Sequence, residues 1–232
     1  MNHLQVDKWK SAIMEEISCI EENKFWQVVP LPQEANFLGS TWVFREKEDH
    51  TGKVVRYKAR LCVQGFSQIE GIDYNETYAP TGRLTSLHFL LSYCAINDFE
   101  LHQMDVRTAF LHGITEERVF MKYPEGYLHV IQPETFLRLI KSLYGLKQGP
   151  RCWYKKLKDV FNILRFTPCQ ADPCLFISTE SNFCAVFVHV DDMLIGGKID
   201  TVEKFKTNIK KVFRMDNMIQ VQFILGIKIN RN

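Results

Sequence analysis

The segment FCAVFVHVDDMLIG, residues 183–196, places two adjacent aspartates between two apolar runs of β-strand type. Carboxylates at the centre of an apolar hairpin repel each other and resist desolvation, so they favour a nearby cation. Hard oxygen ligands on a rigid turn suit a divalent metal, above all Mg²⁺. A two-residue β-turn is the alternative, because aspartate is a common turn residue. The pair Asp191-Asp192 alone leaves both interpretations open.

The composition is that of a globular protein. The chain has 232 residues, 46% of them hydrophobic and 24% charged, which suits one large domain or two small ones. Because no apolar run is long enough to span a bilayer and no signal-peptide pattern is present, no membrane partner is expected. The seven cysteines are scattered without a CxxC pair, which argues against a zinc site and a disulfide framework. This pattern favours an intracellular compartment, either cytoplasm or nucleus.

The positive charges cluster although the net charge is only +2. Between Val54 and Gln64 the residues alternate as in a strand, so Arg56, Lys58 and Arg60 share one face and the apolar residues share the other. Neighbouring cations repel unless an anion lies across them, which predicts a phosphate-bearing partner. An ordinary solvated face remains the alternative.

Hydrophobic periodicity predicts an α+β fold with a largely antiparallel sheet, because helices and strands alternate without regular βαβ units. The predicted helices cover Asp7–Asn23, Leu84–Ala95, a short segment from Thr108, Pro150–Phe166 and Thr201–Phe213, the last with Val202, Phe205, Ile209 and Val212 inward. The predicted strands are Thr41–Glu46 and Val54–Val63, which form a hairpin around residues 49–52, and then Phe99–Val106, Cys174–Ser178, the aspartate hairpin and Phe223–Ile229.

Asp105 ends one of these strands, far in sequence from Asp191 and Asp192. If the two strands are neighbours in one sheet, three carboxylates converge. Such a group binds two Mg²⁺ ions and supports in-line phosphoryl transfer. Aspartate is also common at turns and helix caps, and the spacing alone does not decide between these roles.

A set of motifs occurs in a fixed order along the chain. Together they resemble the reverse transcriptase domain of copia-type LTR retrotransposon Pol polyproteins, from about Trp9 to Ile229. The motifs are RYKARL (residues 56–61), GIDY (71–74), QMDV (103–106), TAFL (108–111), SLYGLKQ (142–148), ADPCL (171–175) and VDDMLI (190–195).

The resemblance implies a right-hand polymerase fold with fingers and palm and with the thumb missing. Residues 1–232 would be a reverse transcriptase domain fragment, with about 1–98 mainly fingers and first palm helix and about 99–232 mainly palm. The implied activity is RNA-directed DNA polymerisation, by two-metal nucleotidyl transfer from a deoxynucleoside triphosphate to a primer. The implied cofactor is Mg²⁺, or Mn²⁺ in its place, and the implied partners are dNTP and an RNA or DNA template-primer.

The same resemblance assigns roles to individual residues. Asp105, Asp191 and Asp192 match the catalytic, metal-binding aspartates of the palm. Lys58 and Arg60 match the fingers strand that neutralises the triphosphate.

Two aromatic residues match positions beside the incoming nucleotide. Phe110 matches the bulky residue that blocks a ribose 2′-hydroxyl, although an ordinary core aromatic is the alternative. Tyr144 falls where related polymerases line the nucleotide pocket. Gly145, Lys147 and Gln148 would shape a loop on the template side, and a structural turn explains Gly145 equally well.

Two departures from the family pattern bear on activity. His189 stands where tyrosine is usual before Val190-Asp191-Asp192, and Gln64 stands where a lysine is usual. With the expected loss of the thumb, these departures support a second hypothesis. The chain would then be a catalytically inactive or domesticated remnant that binds nucleic acid or a protein partner.

Overall fold

The computed structural model describes residues 3–32, 34–48, 53–127, 134–218, 221 and 223–230. The chain divides into two compact units, one formed by Met1–Tyr78 and Phe110–Trp153 and the other by Ala79–Ala109 and Tyr154–Asn232. The predicted fingers and palm segments, with a boundary near residue 98, concern polymerase subdomains and stay a prediction.

Helices and short strands alternate along the chain. In chain order the elements are α1 (His3–Glu22), β1 (Trp26–Pro30), β2 (Phe37–Leu38), β3 (Ser40–Glu48), β4 (Val54–Val63), α2 (Leu84–Ile96), β5 (Glu100–Val106), β6 (Ile114–Met121), β7 (Thr135–Lys141), α3 (Gly149–Ile163), β8 (Phe166–Pro168), β9 (Leu175–Ser178), β10 (Cys184–His189), β11 (Asp192–Gly197), α4 (Ile199–Ile209), β12 (Met215–Met218), β13 (Phe223–Ile224) and β14 (Ile227–Lys228), with 3₁₀ turns at Gly65–Ser67 and Ala109–His112.

The first unit contains a four-stranded sheet in the order β1-β7-β6-β2 and a separate hairpin of β3 and β4. Helix α1 packs against β4, and the Trp9 ring meets the rings of Phe44 and Tyr57 edge to face at 5.1 and 4.7 Å. Aromatic pairs in this geometry add to the stability gained from burial. The core of this unit is formed by Ile20, Phe25, Trp26, Leu38, Leu61, Val63, Leu111, Val119, Met121, Leu137, Leu139, Leu143 and Leu146.

The second unit is built on a six-stranded antiparallel sheet in the order β12-β5-β11-β10-β9-β8. Helix α2 lies close against it because Gly196 of β11 has no side chain; a Cβ atom there would collide with the Cys94 sulfur. One core of this unit contains Leu87, Leu90, Cys94, Leu175, Ala185, Phe187, Leu194, Val221 and Ile224.

The predicted fold class is confirmed: the chain is α+β, and in its described part the named strands pair in antiparallel fashion except for β2 with β6. The first two helices and the basic hairpin are found, and Pro150 lies in the first turn of α3. The residues of the predicted hairpin turn, 49–52, lie outside the described part. No helix in the described ranges combines the length and apolar character needed to cross a membrane.

Helices α3 and α4 end earlier than predicted, and the predicted last strand is interrupted. Helix α3 stops at Ile163 instead of Phe166, because Arg165 turns to a φ of +67° and β8 begins. Helix α4 stops at Ile209, which leaves Val212 exposed rather than inward. The predicted last strand is a hairpin, because Leu225 and Gly226 both have positive φ and separate β13 from β14.

Candidate metal centre and basic face

The aspartate hairpin turns at Val190 and Asp191, one residue earlier than a turn at the aspartate pair would. Strands β10 and β11 pair up to His189 and Asp192, so Asp192 already belongs to a strand. Val190 has a φ of +62°, which is an unfavourable conformation for a β-branched residue and costs about 1–3 kcal/mol. The paired strands on either side hold the turn in this conformation.

The register of the sheet brings Asp105 beside the aspartate pair. Asp105 in β5 lies directly opposite Asp192 in β11, and the Val106 N–H donates to the Asp191 carbonyl at 2.9 Å. Directly opposed residues in antiparallel strands share a face of the sheet, with Cβ atoms about 5 Å apart. Asp105, Asp191 and Asp192 therefore form one group, which we call the carboxylate edge.

The carboxylate edge lies at the border between core and solvent. Asp191 is exposed, while Asp105 and Asp192 are half-buried. The buried Gln103 donates from Nε2 to Asp192 Oδ1 at 3.2 Å and so restrains that carboxylate. Gln103 was not predicted as a site residue, although its position two residues before Asp105 places both on one strand face. His189 is half-buried and lies opposite Asp192 across the hairpin.

The donor set of the carboxylate edge fits a divalent metal in its chemistry, because carboxylate oxygens are the ligands that Mg²⁺ prefers. Within the described ranges, no three His, Cys, Asp or Glu side chains are arranged closely enough to hold a metal ion. The backbone thus places the aspartates at one edge without gathering their side chains around one point. A fourth aspartate, Asp216 of β12, lies opposite Asp105 in backbone register and was not predicted from the sequence.

A group of cations shares one face of the β3–β4 hairpin in the first unit. Register pairs Arg45 with Lys58 and Val43 with Arg60, and these four residues line a small cleft. We call Arg45, Lys58 and Arg60 the basic face. Arg45 was missed from the sequence, although the hairpin register could have indicated it.

Arg56 behaves differently from the other cations of its strand. Its guanidinium lies 3.6 Å from the carboxylate of Glu15 in α1, and both side chains are largely exposed. An exposed pair of this kind contributes little to stability. The predicted row of three equivalent cations is therefore only partly present, because Arg56 has an intramolecular partner.

Three of the four residues predicted to contact the nucleotide lie together in the first unit. The Arg60 guanidinium lies over the Tyr144 ring at 5.1 Å from its centroid, a cation–π contact. The Phe110 ring meets Tyr144 edge to face at 6.1 Å and 90°. Phe110 is only half-buried, so it is not an ordinary residue of the apolar core.

The loop around Gly145 is a packed structural junction. Gly145 has a φ of +93°, and a Cβ atom there would collide with the Val63 carbonyl oxygen. The buried Gln148 accepts from Gln68 Nε2 and donates to the Asp73 carbonyl, both at 2.9 Å. The structural explanation of Gly145 is thus supported, and Asp73 of the GIDY motif joins the same network.

Comparison with known sequences assigns the chain to a class. The model of the family described as "Reverse transcriptase (RNA-dependent DNA polymerase)" matches residues 23–232. The chain belongs to this family. The resemblance to copia-type retrotransposon Pol polyproteins is confirmed as well, because the matching curated relatives are polyproteins of such elements.

Two curated relatives show how much of such a polyprotein the chain represents. It is 40% identical over 234 residues to the Retrovirus-related Pol polyprotein from transposon TNT 1-94 of Nicotiana tabacum, covering 100% of this chain and 18% of that protein. It is 32% identical over 231 residues to the corresponding polyprotein from transposon RE1 of Arabidopsis thaliana, covering 98% and 16%. The chain therefore spans less than a fifth of these relatives.

Among solved structures, a foamy viral protease–reverse transcriptase in complex with double-stranded DNA is similar over 97% of this chain and 34% of that one. The TM-score is 0.48 and the identity is 11%. A likeness this weak carries no argument about contacts or function.

Proposed function

We propose that this chain catalyses RNA-directed DNA synthesis, in which a primer 3′-hydroxyl attacks the α-phosphorus of a dNTP on an RNA or DNA template. A new P–O bond forms, the bond to the β-phosphate breaks, and pyrophosphate leaves. The observation that carries the proposal is the strand register that sets Asp105 opposite Asp192 and beside Asp191. Membership of the reverse transcriptase family supports the same reaction class.

The three aspartates of the carboxylate edge would hold Mg²⁺, or Mn²⁺ in its place. Bound metal would lower the pKa of the attacking hydroxyl and neutralise charge on the phosphates. Asp191 is exposed at the turn and suits contact with solvent-borne ligands, whereas Asp192 is restrained by Gln103. The chain thus supplies one exposed and one oriented carboxylate next to Asp105.

The basic face would bind the triphosphate of the incoming nucleotide. Lys58 and Arg60 supply positive charge, and guanidinium groups match phosphate oxygens with paired hydrogen bonds. Tyr144 would hold the Arg60 side chain in place through its ring face. Phe110, packed edge-on against Tyr144, would exclude a ribose 2′-hydroxyl and so select deoxynucleotides.

A primer-extension assay on the purified chain, with Mg²⁺ or Mn²⁺, tests the proposal. Asp191→Asn preserves shape and removes a charge, so we expect it to abolish extension. Asp159→Asn, an exposed change on α3, serves as the control and should extend as the parent does. Absence of extension by the parent chain, with nucleic-acid binding retained, would favour the inactive or domesticated remnant. Extension that survives Asp191→Asn would contradict the assignment of the site.

A further inference from the structure

Helix α1 places a carboxylate at the edge of the basic strand. The Leu61 N–H of β4 donates to Glu16 Oε1 at 3.4 Å, on the edge that does not pair with β3. Leu61 directly follows Arg60, so Glu16 approaches the strand at the level of the basic face. The helix is fixed there, because Trp9 packs against Phe44 and Tyr57.

The electrostatics of neighbouring groups agree with this position. Burial raises the pKa of Glu16, and the Leu61 hydrogen bond and the charges of Lys58 and Arg60 act in the opposite direction. Burial likewise raises the pKa of the Cys62 thiol, with Arg60 lowering it and Glu16 raising it. Glu16 therefore lies within electrostatic reach of both cations of β4 that we assign to the triphosphate.

The Arg60 side chain has a hydrogen-bond donor that no neighbouring group in the described part of the chain uses. One side of its guanidinium is covered by the Tyr144 ring, and its Nε is buried without a hydrogen-bond partner in the described part of the chain. A buried donor without an acceptor is unfavourable by roughly 1–3 kcal/mol. Glu16 does not accept a hydrogen bond from this donor, although the charges of the two groups act on each other.

We propose that Glu16 is an internal counter-anion of the basic face, which competes with polyphosphate for Lys58 and Arg60 and so sets the affinity for the nucleotide. This inference rests on the proposed function, in which the basic face binds the triphosphate. The physical reason is simple: a negative charge close to two cations lowers the positive potential that an incoming anion meets.

Two neighbouring glutamates on α1 offer a matched test. Glu16→Gln removes the charge but keeps an oxygen that accepts the Leu61 N–H, so the helix contact is preserved. Glu15→Gln makes the same change in net charge at an exposed residue that pairs with Arg56. Titration calorimetry with metal-free tripolyphosphate measures the affinity of each variant. We expect Glu16→Gln to bind about three- to tenfold more tightly than the parent chain, and Glu15→Gln to change by less than about twofold.

Equal affinity changes in the two variants would overturn the inference and leave the proposed function intact. No tripolyphosphate binding by the parent chain or by either variant would instead remove the basic face as a triphosphate site, and the inference with it. The double change Lys58→Gln and Arg60→Gln should abolish binding, which ties the measured affinity to this face. If thermal unfolding shows that Glu16→Gln does not fold, Glu16→Met removes the same charge and must show the same gain.

Discussion

The hairpin of the aspartate pair and the hairpin of the basic face differ in how they are held. The β10–β11 hairpin lies inside a six-stranded sheet, paired with β9 on one side and β5 on the other. From Cys184 to Val188 and from Met193 to Gly197 every residue is buried. The β3–β4 hairpin is a two-stranded ribbon with exposed apolar side chains, among them Val43, Phe44 and Val55.

This difference matches the chemistry that each hairpin would perform. Metal ligands must be held within about 0.5 Å of their working geometry, so carboxylates need a rigid frame. Lysine and arginine reach phosphate through long flexible side chains and tolerate a softer support. The carboxylate edge therefore depends on register, whereas the basic face depends on a few packing contacts with α1 and Tyr144.

The largest predicted effect distinguishes the carboxylate edge from the basic face. Asp105→Asn should lower the rate of primer extension on the order of 10³-fold, because it would remove one of the proposed metal ligands from a fixed frame. Lys58→Gln should lower extension by only about tenfold and act through the KM for dNTP, since one charge of several is lost. Steady-state kinetics checks both. Similar losses in kcat for the two variants would contradict the predicted difference between the carboxylate edge and the basic face.

The support of the basic strand can be tested through two glycines. Gly145→Ala should destabilise the first unit by about 3 kcal/mol, because a Cβ atom would collide with the Val63 carbonyl at a positive φ. Gly126→Ala has a similar φ of +79° but open space, so about 1 kcal/mol is expected. Urea unfolding measures both. Equal losses would show that the Gly145 contact contributes nothing.

A substitution in the turn of the aspartate hairpin should increase the stability of the protein. Val190→Gly removes an unfavourable backbone conformation and should stabilise the chain by about 1 kcal/mol. Val43→Gly, in a strand of the basic hairpin, should destabilise it by about the same amount, since glycine weakens strands. Free energies of unfolding in urea give the comparison. A loss of stability in Val190→Gly would mean that the turn is not strained.

The smallest effect concerns pH and the strand that carries Asp105. His102 of β5 is buried with Nδ1 3.0 Å from Lys206 Nζ, and Glu100 and Glu203 lie within 4 Å of its ring. Burial and the Lys206 charge lower the pKa of His102 from its ordinary 6.5, against the two glutamates. The unfolded chain therefore takes up the proton at a higher pH than the folded chain does.

Stability should be full above pH 6.5 and fall as the pH drops below that value toward the folded-state pKa of His102. His102→Gln should flatten this dependence in urea unfolding between about pH 8 and pH 5, whereas the exposed His88→Gln should leave it unchanged. An unaltered pH dependence in His102→Gln would assign the effect to other groups.

Much of the candidate site could be predicted because short-range patterns encode it. Alternation placed Lys58 and Arg60 on one strand face, and the apolar runs around Asp191 and Asp192 predicted a hairpin. The ordered motifs then identified the family. The sequence left open whether the strands of Asp105 and Asp192 are neighbours, because strand pairing across 87 residues depends on packing rather than on local pattern.

Other features could not be read from local patterns. Glu16 gains its importance from its contact with Leu61 of β4, which no spacing in the chain reveals. The early end of α3 depends on the conformation of Arg165, and no helix-breaking residue at this position predicts it. Strands β1, β2, β6, β7, β8 and β12 were not predicted either.

Binding of Mn²⁺, followed by electron paramagnetic resonance, tests the central claim most directly: Asp105, Asp191 and Asp192 form one metal site. The parent chain and Asp159→Asn should bind Mn²⁺ equally. Asp105→Asn and Asp192→Asn should each weaken binding by at least about tenfold, since each removes a charged ligand from the same site. Wild-type affinity in the Asp105→Asn variant would contradict the account, because the register of β5 with β11 would then have no role in holding metal.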